Sequence, residues 1–376
     1  MKILMLGRID LKEKPGGDTI QIENTAKELR NLGINVDIST DLKCDMTGYD
    51  LVHIFQLDWI PEIYFFVKRA KEFGKKIVFS AIHHNIDEVK KFDDNYAFDF
   101  RRISKFLFKD QFARDTFKNI YRSVFDTRRL GPTLYSVFHG FKNMQRQILL
   151  WSDVVLVQTD LEAADLKRTF GVELNCVKVP NGVGRSYLQG TFPEINFDLM
   201  NYVICVGRIE PRKNQLNIIK AVEMLREKMN KDISLVFIGY LGKYKHFEYS
   251  SKFRKELKEK KWITHIQKVS YDQMPGYYKK AKVCVSASWF ETTGLTSLEA
   301  LFCGTNAVAS GERAKEYLGN YASYCSPDNV SSITEALEKE YLSARPVLDE
   351  KVRLEYTWEN AARKTLEVYK ETLNKK

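Results

Sequence analysis

The stretch SWFETTGLTSLEA, from Ser288 to Ala300, sets two carboxylates, Glu291 and Glu299, eight positions apart, with Gly294 and several hydroxyls between them. An apolar run, Val283-Cys284-Val285, precedes it, and a helical apolar run, Leu298 to Phe302, follows and stops at Gly304. Where a buried strand turns into a helix, the first helical N–H groups lack backbone partners and the helix dipole is positive. Thr293, Gly294 and Leu295 are therefore expected to present donors to an anion, with the glycine allowing close approach. Glu299 falls among Leu295, Leu298, Leu301 and Phe302, where an unpaired charge is costly. The diol of a ribose would suit it. Glu291, on the loop, is placed to meet the hydroxyls of whatever the phosphate carries. Two solvated surface glutamates are the bland alternative, and the glycine and the strand-to-helix setting argue against it.

A second group is VGRIEPRKNQ. Arg208 leaves the end of an apolar strand and Lys213 follows at the start of a helix. Two cations there would neutralise a diphosphate and stabilise it as a leaving group. Arg212 reads as their solvated neighbour. A third is Gly16-Gly17, just before an amphipathic helix, where the backbone can approach a phosphate or sugar, or simply turn. The fourth is His83-His84, after an apolar strand. No second ligand cluster accompanies the pair, so hydrogen bonding or proton handling is favoured over a metal site. His84 is taken as the structural member. The chain contains no Asp-x-Asp, the usual acidic clamp for a metal-bound diphosphate, and no metal is implied.

These groups need strands that end beside helices. Apolar β-type runs alternate with helical patterns: 2–6, 35–38, 51–55, 76–80, 154–158 and 176–179, then 202–206, 234–238, 263–267, 282–286 and 307–310. Runs apolar throughout are strands buried on both faces, and the alternation predicts α/β structure with two doubly wound parallel sheets. Ligands of such sheets bind at the carboxyl ends of the strands, here in a central cleft faced by both domains. The Gly- and Pro-rich stretch 180–194 is the expected linker. Neither half carries a dinucleotide-binding or P-loop glycine motif, which argues against those cofactor chemistries.

At 376 residues, 44% hydrophobic and 29% charged, the chain is an ordinary two-domain globular sequence. It has no apolar run of transmembrane length, and MKILMLGRID reads as a first strand rather than a secretory leader. The six cysteines are scattered, which favours a reducing cytoplasm. The net charge of +10 favours anionic partners without choosing among phosphates, membranes and nucleic acids. Residues 98–146 stand apart. Ala113, Phe117, Ile120, Tyr121 and Val124 make an apolar face, and Arg114, Lys118 and Arg122 a basic stripe beside it. This is either a core helix with a solvated face or a surface for anionic headgroups.

At this point the chain resembles the retaining glycosyltransferases of family 4, the group 1 transferases of GT-B fold. The resemblance runs nearly end to end: GG followed by a helix and NLGINVDIST, PNGV at 180–183, VGRIEPRKNQ, YYKKAKVCVSASWFETTGLTSLEALFCG with Glu291 and Glu299 at the E-x7-E positions, and TWENAARKTLEVY near the end. It implies an acceptor-binding domain over 1–184, with a closing helix 358–376 packed back on it, and a nucleotide-sugar-binding domain over 185–357. It implies a nucleotide diphosphate sugar as co-substrate, with no other cofactor. Arg208 and Lys213 would hold the diphosphate, Glu299 the ribose and Glu291 the transferred sugar. Gly17 would lie near the diphosphate and His83 near the reaction centre. The acceptor would be a hydroxyl of a glycan, lipid-linked or other cell-surface molecule, met in the cytoplasm or at the inner face of the membrane, with no nucleic acid involved. Alternatives are a nucleotide-sugar epimerase or hydrolase of the same fold, and a basic membrane- or nucleic-acid-binding protein. Ala287, Thr293 and the pair Gln267-Lys268 depart from the family pattern, and the last leaves the base open.

Overall fold

The structure is a computed structural model describing residues 1–13, 16–95, 105–188, 192–242 and 246–375, without the side chains of 122, 125 and 127. It divides into two compact units. The first comprises Met1–Asn85, Ser104–Gly182 and Glu355–Lys376; the second comprises Ile86–Ile103 and Val183–Leu354.

The first unit is built on β1 (Lys2–Leu6), β2 (Asn35–Ser39), β3 (Leu51–Phe55), β4 (Lys76–Ser80), β5 (Val154–Val157) and β6 (Cys176–Lys178). They form one parallel sheet in the order β2-β1-β3-β4-β5-β6. β3 is buried at every position, as an apolar run covered on both faces must be. Its helices include α1 (Gly17–Asn31), α2 (Ile60–Glu72), α4 (Gln111–Phe125), α5 (Leu130–His139), α6 (Phe141–Trp151) and α7 (Asp160–Phe170); α3 (Ile86–Asn95) belongs to the second unit. The closing helix α15 (Trp358–Asn374) is capped by the Thr357 side chain, which accepts from the Asn360 N–H, and it buries Tyr369 against His53 of β3. Gly182 permits this return: a Cβ there would stand 2.1 Å from the Thr357 carbonyl carbon.

The second unit repeats the plan. β7 (Val203–Val206), β8 (Leu235–Ile238), β9 (Ile263–Ile266), β10 (Val283–Val285), β11 (Asn306–Ala309) and β12 (Ala322–Tyr324) pair in parallel in the order β12-β11-β10-β7-β8-β9. Helices α8 (Gln215–Met229), α9 (Phe247–Glu259), α10 (Met274–Lys280), α11 (Leu295–Phe302), α12 (Glu312–Leu318), α13 (Val330–Leu342) and α14 (Glu350–Glu355) complete it. The two expected parallel sheets are therefore present, with strand ends shifted by a residue or two. One strand, β12, is not visible in the sequence: its three residues, Ala-Ser-Tyr, carry too little apolar pattern to register.

In each sheet the strand order reverses direction beside the first strand, between β1 and β3 and between β7 and β10. Such reversal points are where loops diverge and ligands bind. In the second sheet the loops after β7 and β10 meet at this point.

Candidate functional site

In the second unit, β7 ends at Val206 and β10 at Val285, and the loops that follow meet each other. After β7 the chain passes Gly207 (φ 142°), then Arg208, a single 3-10 turn at Pro211–Lys213, and Asn214 in the left-handed region (φ 62°). The Asn214 amide donates to the carbonyls of Ala287 and Pro327 at 3.0 and 2.7 Å, tying the β7 loop to the β10 loop. The Trp289 N–H donates to the Arg212 carbonyl at 2.9 Å. Sequence-distant segments are thereby locked together at the reversal point.

The product is an ion cluster. Lys213 Nζ donates to Glu291 Oε1, and Arg212 Nη1 lies 3.4 Å from Glu291 Oε2. Arg212 also donates to the Phe290 carbonyl and to Glu210, and stacks over the Phe290 ring. Arg212 is thus not the solvated neighbour expected from sequence: two acids and a carbonyl draw it inward. Burial alone would raise the Glu291 carboxyl, but Lys213 and Arg212 hold it down at about 2, so it is fully charged at neutral pH. Arg208 is the most exposed of the three cations.

Gly294 caps α11 with φ 77°, a conformation that favours glycine. Buried Thr293 and half-buried Leu295 flank it, and the helix leads one turn on to buried Glu299. There the Tyr278 hydroxyl of α10 donates to Glu299 Oε2 at 3.0 Å, with Tyr271 a further donor. Burial pushes the Glu299 carboxyl up to about 7 despite both tyrosines. The two glutamates therefore differ in charge state. α3 also packs here: buried Phe92 meets the rings of Trp289 and Phe290, immediately before Glu291.

The first unit carries a separate cluster at the carboxyl ends of β3 and β4. Gln56 and Ile82 have positive φ, 83° and 43°, so the backbone is strained on both sides of it. Asp58, which follows β3, accepts from Nδ1 of His83 at 2.5 Å through one oxygen and from Nδ1 of His84 at 2.6 Å through the other. The His83 N–H donates to Glu162 Oε1 at 2.8 Å. Asp58 would be raised by burial, but the two imidazoles hold it well below the usual carboxylate range. His84 shares this carboxylate equally with His83, which the sequence reading did not anticipate. Asp58 itself was missed, because nothing local links it to histidines 25 positions away.

Gly16 is the N-cap of α1 and its N–H donates to Thr19 Oγ1 at 3.0 Å. Among the described residues, and apart from its chain neighbours and its own helix backbone, no atom lies within 4 Å of a Cβ built on Gly17. Nearby, Arg8 bonds Asp10 and Asp18, Arg129 reaches Asp10 and Glu62, and the Trp59 ring lies within about 5 Å of both guanidiniums. This buried ionic knot also escaped the sequence reading.

Of the basic stripe of α4, the two described side chains, Arg114 and Lys118, do not face solvent. Arg114 donates to the Phe108 carbonyl at 2.8 Å, and Lys118 pairs with Asp115 at 2.9 Å; both are buried. The Arg122 side chain lies outside the described residues. Helical spacing separated the faces correctly but not which one turns inward. Among the described residues, no group of three or more His, Cys, Asp or Glu is placed to hold a metal ion.

Comparison with known proteins gives the same architecture. Residues 193–354 match the family described as Glycosyl transferases group 1. The O-antigen chain mannosyltransferase B of Escherichia coli is 27% identical over 182 residues, covering 45% of each chain. The chain spans under half the length of the curated relatives it matches. Among solved structures, sucrose-phosphate synthase from Thermosynechococcus elongatus aligns with a TM-score of 0.72 at 15% identity over 99% of both chains. Anabaena HepE in complex with UDP and glucose aligns with a TM-score of 0.67 at 12% identity, over 99% of this chain and all of that one. These neighbours are GT-B glycosyltransferases, and the fold of this chain is GT-B.

Proposed function

From a group 1 glycosyl transferase domain at residues 193–354 carried on a GT-B fold, we propose that the chain is a retaining glycosyltransferase. It moves a sugar from a nucleotide diphosphate sugar to an acceptor hydroxyl. The observation that supports this most is the Lys213–Glu291–Arg212 cluster at the reversal point of the second sheet, with Arg208 on the same loop after β7 and Glu299 in the helix that follows Glu291. A hexose donor is in keeping with the mannose, UDP and glucose named for the relatives and neighbours.

In this reading the second unit holds the donor. Arg208, Lys213 and the N–H groups around Thr293, Gly294 and Leu295 take the diphosphate, Glu299 takes the ribose hydroxyls, and Glu291 takes the sugar. Lys213 is paired with Glu291 in this structure, so diphosphate binding shifts that lysine toward the phosphate and leaves the carboxylate for sugar hydroxyls and developing positive charge. The bond from the anomeric carbon to the diphosphate breaks as the acceptor oxygen bonds to the same face. The acceptor proton passes to the departing phosphate oxygen, whose charge the cations stabilise. The reaction runs without a divalent metal, since two cations and a helix N-terminus supply the positive charge. The first unit takes the acceptor, a glycan or lipid-linked hydroxyl, and Gly16 and Gly17 at the start of α1 leave its backbone open to a phosphate or sugar. Asp58 accepts from Nδ1 of His83 and so fixes the orientation of that ring, the first unit's candidate for hydrogen bonding or proton handling.

The test is a panel of nucleotide sugars with and without candidate acceptors, in excess chelator, with product stereochemistry read by NMR. Retained configuration in a new glycoside supports the reading. Isomerised donor without acceptor points instead to an epimerase. Inverted product, or activity seen only with added metal, contradicts it.

A further inference from the structure

Helices α4 and α5 bury several polar side chains and expose large apolar ones. Their inward positions carry Arg114, Lys118, Ser123, Thr133 and Ser136, all buried. Four of these side chains have partners there: Arg114 on a carbonyl, Lys118 on Asp115, Ser123 on the Ile120 carbonyl and Ser136 on the Thr133 carbonyl. The outward positions are apolar. On α5, Leu130, Leu134, Val137 and Phe138 recur at the spacing of one helical stripe and all are exposed, Phe138 by 84%. On α4, Ile120, Tyr121 and Val124 are exposed as well. Phe112 and Tyr135 anchor the two helices on the core, and the stripe of large apolar side chains left outside is matched to an apolar exterior rather than to water.

We propose that this face of the first unit seats in the headgroup–acyl boundary of an anionic lipid bilayer. Charge selects this occupant. Residues 105–146 hold nine lysines and arginines against three aspartates, a surplus of six within a chain whose whole net charge is +10. Lys105, Lys109, Lys142 and Arg146 are exposed. Cations near an anionic leaflet add to the insertion of an apolar face. A second copy of the chain would bring two such positive segments together, which like charge opposes. The face lies on the bilayer and does not cross it. At ten residues α5 is about 15 Å long, half the hydrocarbon thickness. No helix among the described residues is long and apolar enough to cross a membrane. This contact differs from one through a basic stripe: the apolar side chains enter and the cations border them.

The proposal does not depend on glycosyl transfer, and its test reads binding rather than turnover. The full chain is sedimented with phosphatidylglycerol–phosphatidylcholine vesicles and with pure phosphatidylcholine vesicles, as wild type and as Leu134→Gln/Phe138→Gln. Both residues are exposed, and circular dichroism checks the fold. Binding to the anionic vesicles is expected, at least about tenfold weaker in the double variant. Salt should weaken but not abolish it, because screening acts on the cations and not on the inserted face. Four results overturn the proposal: no binding to anionic vesicles, equal binding to neutral ones, wild-type binding by the double variant, or a lipid-independent dimer that the double variant splits while neither form binds vesicles.

Discussion

Glu291 and Glu299 come from one short stretch and are both largely removed from water, yet one is held charged and the other is pushed toward neutrality. The difference lies in what each faces. Glu291 meets a lysine and an arginine that arrive from the loop after β7. Glu299, one turn into α11, meets tyrosine hydroxyls, which donate hydrogen bonds but bring no charge. A carboxylate that is always ionised is suited to stabilise positive charge at a reacting carbon. One that is poised near neutrality is suited to be ionised by a ligand that offers it hydroxyl donors. The same residue type is thus held in two charge states because the fold gives it two kinds of neighbour.

The largest effect that would sharpen this contrast is on rate. Glu291→Gln keeps the shape and removes the charge, and should lower kcat by about 10²–10³ while changing nucleotide affinity far less. Steady-state kinetics and calorimetry check it, and a near-normal kcat would break the contrast. Next come the cations. Arg208→Ala and Lys213→Ala should each weaken nucleotide binding by roughly 1.5–3 kcal/mol. Unchanged affinity in both would remove the diphosphate from this loop.

Stability should move in opposite directions with pH. Folded Glu299 keeps its proton to about pH 7, whereas an ordinary glutamate loses it near 4.5. The folded state therefore binds more protons across that window, and stability falls as pH rises through it. Glu299→Gln removes that loss. It should be more stable than wild type above pH 7, by on the order of 1–3 kcal/mol, with the gap closing toward acid. Glu291 has the opposite sign. Its folded value of about 2 lies below the ordinary 4.5, so its contribution is present above 4.5 and is lost as pH falls toward 2. Glu291→Gln should therefore be the less stable protein at neutral pH, with the gap closing in acid. Melting temperatures of the two variants across pH decide it; parallel curves would contradict the assignment. The smallest effect is a proton count. If ribose hydroxyls donate to Glu299, nucleotide binding near pH 7 should release a fraction of a proton, read by calorimetry in buffers of different ionisation enthalpy.

Much of this was legible in the sequence because it is local. Apolar runs such as 51–55 declare strands buried on both faces, and Gly294 between a strand and a helix declares a cap. The pairing of Lys213 with Glu291 was not legible, since 78 positions separate them and only the neighbouring of β7 and β10 joins them. Arg212 was read as solvated for the same reason. Asp58 has no local pattern and acquires its histidines only because β3 lies beside β4. The buried Arg114 and Lys118 of α4 show a further limit. Spacing separates two faces of a helix, but the inward one is decided by partners such as Asp115 and the Phe108 carbonyl.

The most direct test of the opposed charge states is a pH titration of the glutamate side-chain carboxyl carbons by NMR, with the two resonances assigned from Glu291→Gln and Glu299→Gln. Between roughly pH 4 and pH 9, a range that brackets ordinary glutamate titration, the Glu291 signal should stay at its ionised shift. The Glu299 signal should move with a midpoint of about 7. Two signals that titrate together near the ordinary glutamate value would contradict the account.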